Sequence, residues 1–164
     1  MVVTCVNRKR QTYFLHEGKT KTGKPKFFFS KDSEGTLLDA IPEGYEIYEN
    51  PNAQVFLRRK IPQLVTDEEI AVVKAGLRQY ASNQNCIVDV KGNQIVIYEG
   101  QGGYFHQMLR FTLTDEKTRR FSVERWCFRG SIDDWFPLLG GGTLSQVVEK
   151  YLRHLGRESF FELM

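Results

Sequence analysis

Apolar residues recur along this chain with two different periods, and each period predicts a different element. From Leu144 to Leu155, the residues Leu144, Val147, Val148, Tyr151, Leu152 and Leu155 fall at i, i+3, i+4, i+7, i+8 and i+11, one stripe of an amphipathic helix. Thr143 and Gln146 have capping-box spacing, Lys150, Arg153 and His154 occupy the last turns, and Gly156 stands where a helix stops. A second helix is predicted from Thr66 to Ala81, where Thr66 and Glu69 form another capping box and Ile70, Val73, Leu77 and Tyr80 make the stripe. Gly76 interrupts that helix at about 1 kcal/mol relative to alanine, which suggests a close approach to an underlying sheet.

Elsewhere the pattern shortens to the period of a strand. Cys86–Val90 and Gln94–Glu99 flank the turn formers Lys91, Gly92 and Asn93, and a longer pair, Tyr104–Leu113 and Arg119–Phe128, follows. These predict a four-stranded antiparallel layer with one oily face, covered by the 66–81 helix. The first sixty residues read as a β-meander. Met1–Val6 is an edge strand or arm, Thr12–His16 and Lys26–Ser30 form a hairpin, and Tyr45–Glu49 with Ala53–Arg59 forms another. Ser131 with Asp134 predicts a single capped turn carrying Trp135 and Phe136 and ended by Pro137. Gly140–Gly142 then reads as a loop, and the oily tail Arg157–Met164 is expected to dock on the sheet.

The fold class expected is therefore α+β, a mostly antiparallel sheet system packed with two amphipathic helices. At 164 residues it fits a single domain, 1–164, with sublobes at 1–62 (basic meander) and 63–164 (helix–sheet–helix core). Hydrophobic content of 41% and charged content of 26% are ordinary for a globular chain. No apolar run is long enough to span a bilayer and no secretory signal opens the chain, so a cytoplasmic location without membrane contact is expected. Cys5, Cys86 and Cys127 are odd in number and far apart, as reduced core thiols are. With His16, His106 and His154 equally scattered, neither a metal site nor a cofactor is expected.

Charge changes the picture. Net charge is +3, but residues 1–35 hold eight Lys or Arg against three acidic residues, a local +5, while the remaining 15 basic and 17 acidic residues give −2. That positive charge is interleaved with aromatic residues in the ribbon from Gln11 to Lys31, whose nine-residue connection is rich in lysine and glycine. Interleaved ammonium groups and flat rings suit a nucleic-acid strand, because cations neutralise phosphates and rings stack on bases. The residues expected to make that contact are Lys19, Lys21, Lys24, Lys26, Tyr13, Phe28, Arg8 and Arg10. Strand alternation turns Phe27 and Phe29 one way and Phe28 the other, so one face must show an aromatic ring outside the local core.

A non-catalytic nucleic-acid-binding role is the first expectation. A protein-binding adaptor or complex subunit, using the ribbon edge, the Trp135 region or the tail, is the alternative. Weaker chemical signals sit beside them. Asp89-Val90-Lys91 resembles the acid-x-Lys tripeptide of metal-dependent nucleases, with Asp67 or Glu99 as a second acid. His106 and Cys127 on neighbouring strands suggest a nucleophile and base, against which strand alternation argues. Gly140–Gly142 before a helix suggests an anion loop but lacks the lysine of a phosphate loop. Trp126, Phe128, Arg129, Asp133, Asp134, Trp135 and Phe136 cluster around a turn, as core filling or as an interface anchor.

Overall fold

The structure is a computed structural model that describes residues 1–127 and 133–163. It divides into two compact units, Met1–Ile61 and Pro62–Met164. The fold is α+β, with mostly antiparallel sheets and two helices.

In the first unit, β1 (Thr4–Val6), β2 (Thr12–Lys19) and β3 (Pro25–Ser30) form an antiparallel sheet in chain order. A separate hairpin pairs β4 (Tyr45–Glu49) with β5 (Val55–Arg59). The ribbon strands β2 and β3 are longer than the aromatic runs alone predict, because Glu17, Gly18 and Lys19 continue the ladder to Pro25. Only Thr20–Lys24 remains as the connection. Leu15 is fully buried, and Asn7 ties the meander together by donating from Nδ2 to the Ala53 carbonyl at 2.8 Å.

The second unit holds α1 (Asp67–Tyr80), then β6 (Cys86–Lys91), β7 (Gln94–Gln101), β8 (Tyr104–Asp115), β9 (Arg120–Cys127) and β10 (Asp134–Thr143), then α2 (Leu144–Tyr151). Its sheet is five-stranded and wholly antiparallel, in the order β10-β9-β8-β7-β6. The strand beyond the expected four is β10, where a helical turn and a glycine loop are predicted. Ser131, the cap proposed for that turn, lies outside the described residues, as do Phe128 and Arg129. Trp135, Phe136 and Pro137 pair with Trp126, Arg125 and Glu124 of β9. A proline is tolerated there because β10 is an edge strand, where a missing N–H breaks no ladder bond on its outer side.

The apolar core fills one face of this sheet. Ile95 and Ile97 of β7, Leu109, Phe111 and Leu113 of β8 and Phe121 and Val123 of β9 meet Val73 and Leu77 of α1 and all six stripe residues of the α2 region. The α-helix closes at Tyr151 and continues as a 3-10 turn, Leu152–His154, before Gly156 reverses the chain at φ +75°. Gly76 does mark a close approach, but to α2 rather than to the sheet: a Cβ there would lie 2.3 Å from Val148 Cγ1. The tail docks as expected. Phe160 is buried, and Arg125 Nε donates to the Leu163 carbonyl at 2.9 Å.

Candidate nucleic-acid interface

The tip of the β2–β3 ribbon is a tight, self-bonded turn. Thr20 N–H donates to the Lys24 carbonyl at 2.9 Å, Gly23 N–H donates to the Thr20 carbonyl at 2.9 Å, and Lys24 N–H donates to Thr20 Oγ1 at 3.2 Å. Gly23 supplies the φ of +84° that the reversal needs. Because the backbone is satisfied internally, Lys21 and Lys24 project from it into solvent, and Lys19 and Lys26 flank them at the strand ends, all four exposed. Among the described residues, none of these four ammonium groups forms an ion pair. An open cleft of about 470 Å³, lined by Glu17, Gly18, Lys19, Gly23, Pro25 and Thr36, lies beside the turn.

Register decides which ring accompanies the lysines. Leu15 pairs with Phe29 and His16 with Phe28, so Phe28, His16, Gly18 and Lys26 share one face, while Tyr13, Leu15, Phe27 and Phe29 share the other. Phe28 is 38% exposed, the most exposed ring of the ribbon. Its ring lies parallel to the imidazole of His16, with centroids 5.1 Å apart and planes 7° from parallel, and Lys26 Nζ stands 5.7 Å from its centroid. His16 itself is buried, and its Nε2–H donates to the Asp32 carbonyl at 2.8 Å, which fixes the ring under Phe28. Gly18 leaves the room: a Cβ there would already touch Phe28 Cε1 at 3.4 Å.

The structure does not bring all eight expected residues together. Tyr13 faces the opposite side from Phe28 and lies toward the other end of the ribbon, with Lys31 Nζ 5.8 Å from its ring centroid. Arg8 and Arg10 sit in the β1–β2 turn, seven residues up β2 from Lys19, about 23 Å along an extended strand. Arg8 is also occupied. Its backbone N–H donates to Glu49 Oε2 at 3.0 Å, its guanidinium donates to the carbonyls of Asn50 (2.7 Å) and Pro51, and it forms an ion pair with Glu49 at 3.3 Å. It clamps the β4–β5 turn. Arg10 is exposed and takes a left-handed φ of 61°, its N–H closing the turn on the Asn7 carbonyl. What the ribbon tip gathers is thus Lys19, Lys21, Lys24, Lys26 and Phe28, with Lys26 on the Phe28 face and Lys19 on the Tyr13 face, and Phe28 is supported by His16, a residue the sequence pattern left unassigned. Its parity with Phe28 across the hairpin is the signal that identifies it.

The weaker chemical candidates separate in the same way. Asp89 pairs with Val96 on the face away from the core, whereas Glu99 continues the core-facing parity of Ile95 and Ile97, so the two carboxylates lie on opposite faces of the sheet. Among the described residues, no group of three His, Cys, Asp or Glu is placed to hold a metal ion. His106 lies opposite Glu99, and Cys127 opposite Asp134, so the ladder does not pair the thiol with the imidazole. Gly141 is a packing residue, since a Cβ would meet the Phe121 carbonyl oxygen at 2.7 Å. Trp126 and Trp135 are half-buried on the face away from the helices, edge to face at 5.2 Å, and Arg110 stands 4.4 Å over Trp135 while donating to Glu124 through Nε and Nη2. They are therefore not core filling. Among the described residues, no helix is long and apolar enough to cross a membrane.

Comparison of the chain with known protein families, curated proteins and solved structures finds no match in any of the three.

Proposed function

We propose that this protein binds single-stranded nucleic acid through the tip of the β2–β3 ribbon, with Lys19, Lys21, Lys24 and Lys26 neutralising phosphates and Phe28 stacking on a base. The observation that supports this reading is the concentration of four ammonium groups, unpaired among the described residues, at the end of one hairpin that also exposes Phe28 on the face of Lys26. Free ammonium groups release counterions when they meet phosphates, and a ring held flat on a buried imidazole is pre-oriented for stacking. Arg8 is given no part, being held by Glu49 and the β4–β5 turn.

Binding of a fluorescent oligonucleotide, followed by anisotropy between about 50 and 200 mM salt, tests the proposal. Four phosphate contacts correspond to a slope of log K against log salt of about −3 for a single strand, and Lys21→Ala with Lys24→Ala lowers that slope by about 1.4. Phe28→Ala weakens binding about tenfold with the slope unchanged, because stacking releases no counterions. Absence of binding at about 50 mM salt, or a slope indifferent to the double substitution, rejects this function and favours a protein partner for the ribbon.

A further inference from the structure

The core face of the five-stranded sheet turns polar at one end. Glu99 follows Ile95 and Ile97 along β7 with the same parity, and it is as enclosed as its apolar predecessors, at 4% exposure. Next to it the ladder is irregular: Ile97 pairs with Leu109 and Tyr98 with Gln107, so Met108 is an extra residue bulged from β8. Glu99 Oε1 accepts a hydrogen bond from Gln101 Nε2 at 3.2 Å. Its other oxygen, Oε2, is fully buried and has no donor among the described residues.

That oxygen belongs to a residue lining a cavity of about 240 Å³. Gln84, Met108, Arg157, Glu158 and Phe160 line the same cavity, with the exposed ring of Phe161 also in its wall. Gly156 leaves room for Gln84, since a Cβ there would fall 2.2 Å from the Gln84 carboxamide. The lining combines two carboxylates against one guanidinium, that of Arg157, with two amides, a thioether and aromatic rings.

We propose that this cavity binds a small aliphatic amine in its ammonium form, with the ammonium group donating to the Glu99 carboxylate, whose enclosed Oε2 turns toward the cavity to receive it, and the carbon chain lying against Met108 and Phe160. A carboxylate only accepts, so its partner must donate, and a donor that carries positive charge gives the stronger, charge-assisted bond. Thioether and ring surfaces suit a short hydrocarbon stem, and an aromatic face favours a cation. A metal ion is the poorer occupant, because among the described residues no third ligand of the His, Cys, Asp or Glu type joins the site. The volume lies below the roughly 300 Å³ of pockets for drug-sized ligands, which limits the occupant to a short chain. Glu158, a second carboxylate in the lining, gives a diamine a second contact. Cys86, opposite Glu99 on β6, does not compete, since burial, together with the Glu99 charge, keeps its thiol protonated.

Titration of the full chain with butylamine, putrescine and the neutral butan-1-ol, followed by amide chemical shifts at pH 7, tests this site. The expected result is saturable shifts at Glu99, Gly100, Gly156 and Phe160 with both amines, at least fivefold weaker apparent affinity for the alcohol, and at least tenfold weaker amine binding in Glu99→Gln. Absence of saturable shifts at these amides, or equal response to amine and alcohol, overturns the proposal on the unaltered protein whether or not the variant folds. Amine binding unchanged in a folded Glu99→Gln overturns it as well.

Discussion

Cys86 lies on the core-facing side of β6, directly across the ladder from Glu99. Burial, and secondarily the charge of Glu99, pushes its thiol up to about 12 from the ordinary 9.0. Three pKa units mean about a thousandfold less thiolate at neutral pH, and thiolate is the reactive form. Iodoacetamide at pH 8 is therefore expected to label Cys86 in the native chain about a thousandfold more slowly than in the same chain in urea, read by mass spectrometry of the labelled peptide. Comparable rates in the two states contradict this placement. The ribbon teaches a related lesson about single positions. That Phe28 points away from Phe27 and Phe29 was legible from alternation alone, and the structure bears it out. Where Tyr13 points was not, because that depends on the register between two strands, and nothing in either strand by itself sets Leu15 against Phe29. Arg8 was misleading for another reason: its partners, Glu49, Asn50 and Pro51, are more than forty positions away and carry no local signal.

Among the elements, the two helices were legible in proportion to how fully their burial follows one period. All six stripe residues of the α2 region are buried, whereas in α1 only Val73, Gly76 and Leu77 are, because its contact runs along a narrow seam against α2. Gly76→Ala tests that seam. Helix propensity alone would make it stabilising by about 1 kcal/mol. The added Cβ, however, falls 2.3 Å from Val148 Cγ1 and 3.0 Å from Leu152 Cδ1, and a β-branched neighbour in a close-packed core gives way poorly. Overpacking dominates, so urea denaturation is expected to show a net loss of about 1–3 kcal/mol, largely relieved in combination with Val148→Ala. The strand β10 escaped the sequence for the opposite reason: Pro137 and three consecutive glycines are loop residues by every local rule. An edge position makes the proline harmless, and Gly141 is required by contact with the Phe121 carbonyl rather than by a turn.

The start of α1 carries its own pH dependence. Burial works to raise the Glu69 carboxyl, but hydrogen bonds from Arg119 and from Thr66 outweigh it and hold the group below its usual range. A carboxyl with a lowered folded pKa contributes stability that is present above its unfolded value and is lost as pH falls through the folded one. Glu69→Gln is therefore expected to lower the urea midpoint at pH 7, with the difference from the unaltered chain shrinking as pH falls below about 4.3. A difference independent of pH means that the amide of glutamine replaces the carboxylate fully at the helix cap.

For the whole molecule, core and charge are divided between the two units in opposite senses. Every residue of the main apolar core lies in 62–164, while in 1–61 the buried apolar residues are Leu15, Ala53 and Val55. The smaller unit instead carries 11 Lys or Arg against seven acidic residues, a net +4, compared with 12 against 13 in the larger. It relies on polar ties such as Asn7 to Ala53 and Arg8 to the β4–β5 turn. A unit of about 60 residues with so small an interior is marginal, since hydrophobic burial must offset an ordering cost of similar size and its own positive charge repels itself. Expressed separately, residues 62–164 are expected to unfold in urea with a single cooperative transition, and residues 1–61 with a lower midpoint that rises when salt is added. Salt screens the excess lysines without adding contacts, so that rise identifies charge repulsion as the destabilising force. If 1–61 resists urea as well as 62–164 does, its stability comes from contacts beyond the three buried side chains and the polar ties described here.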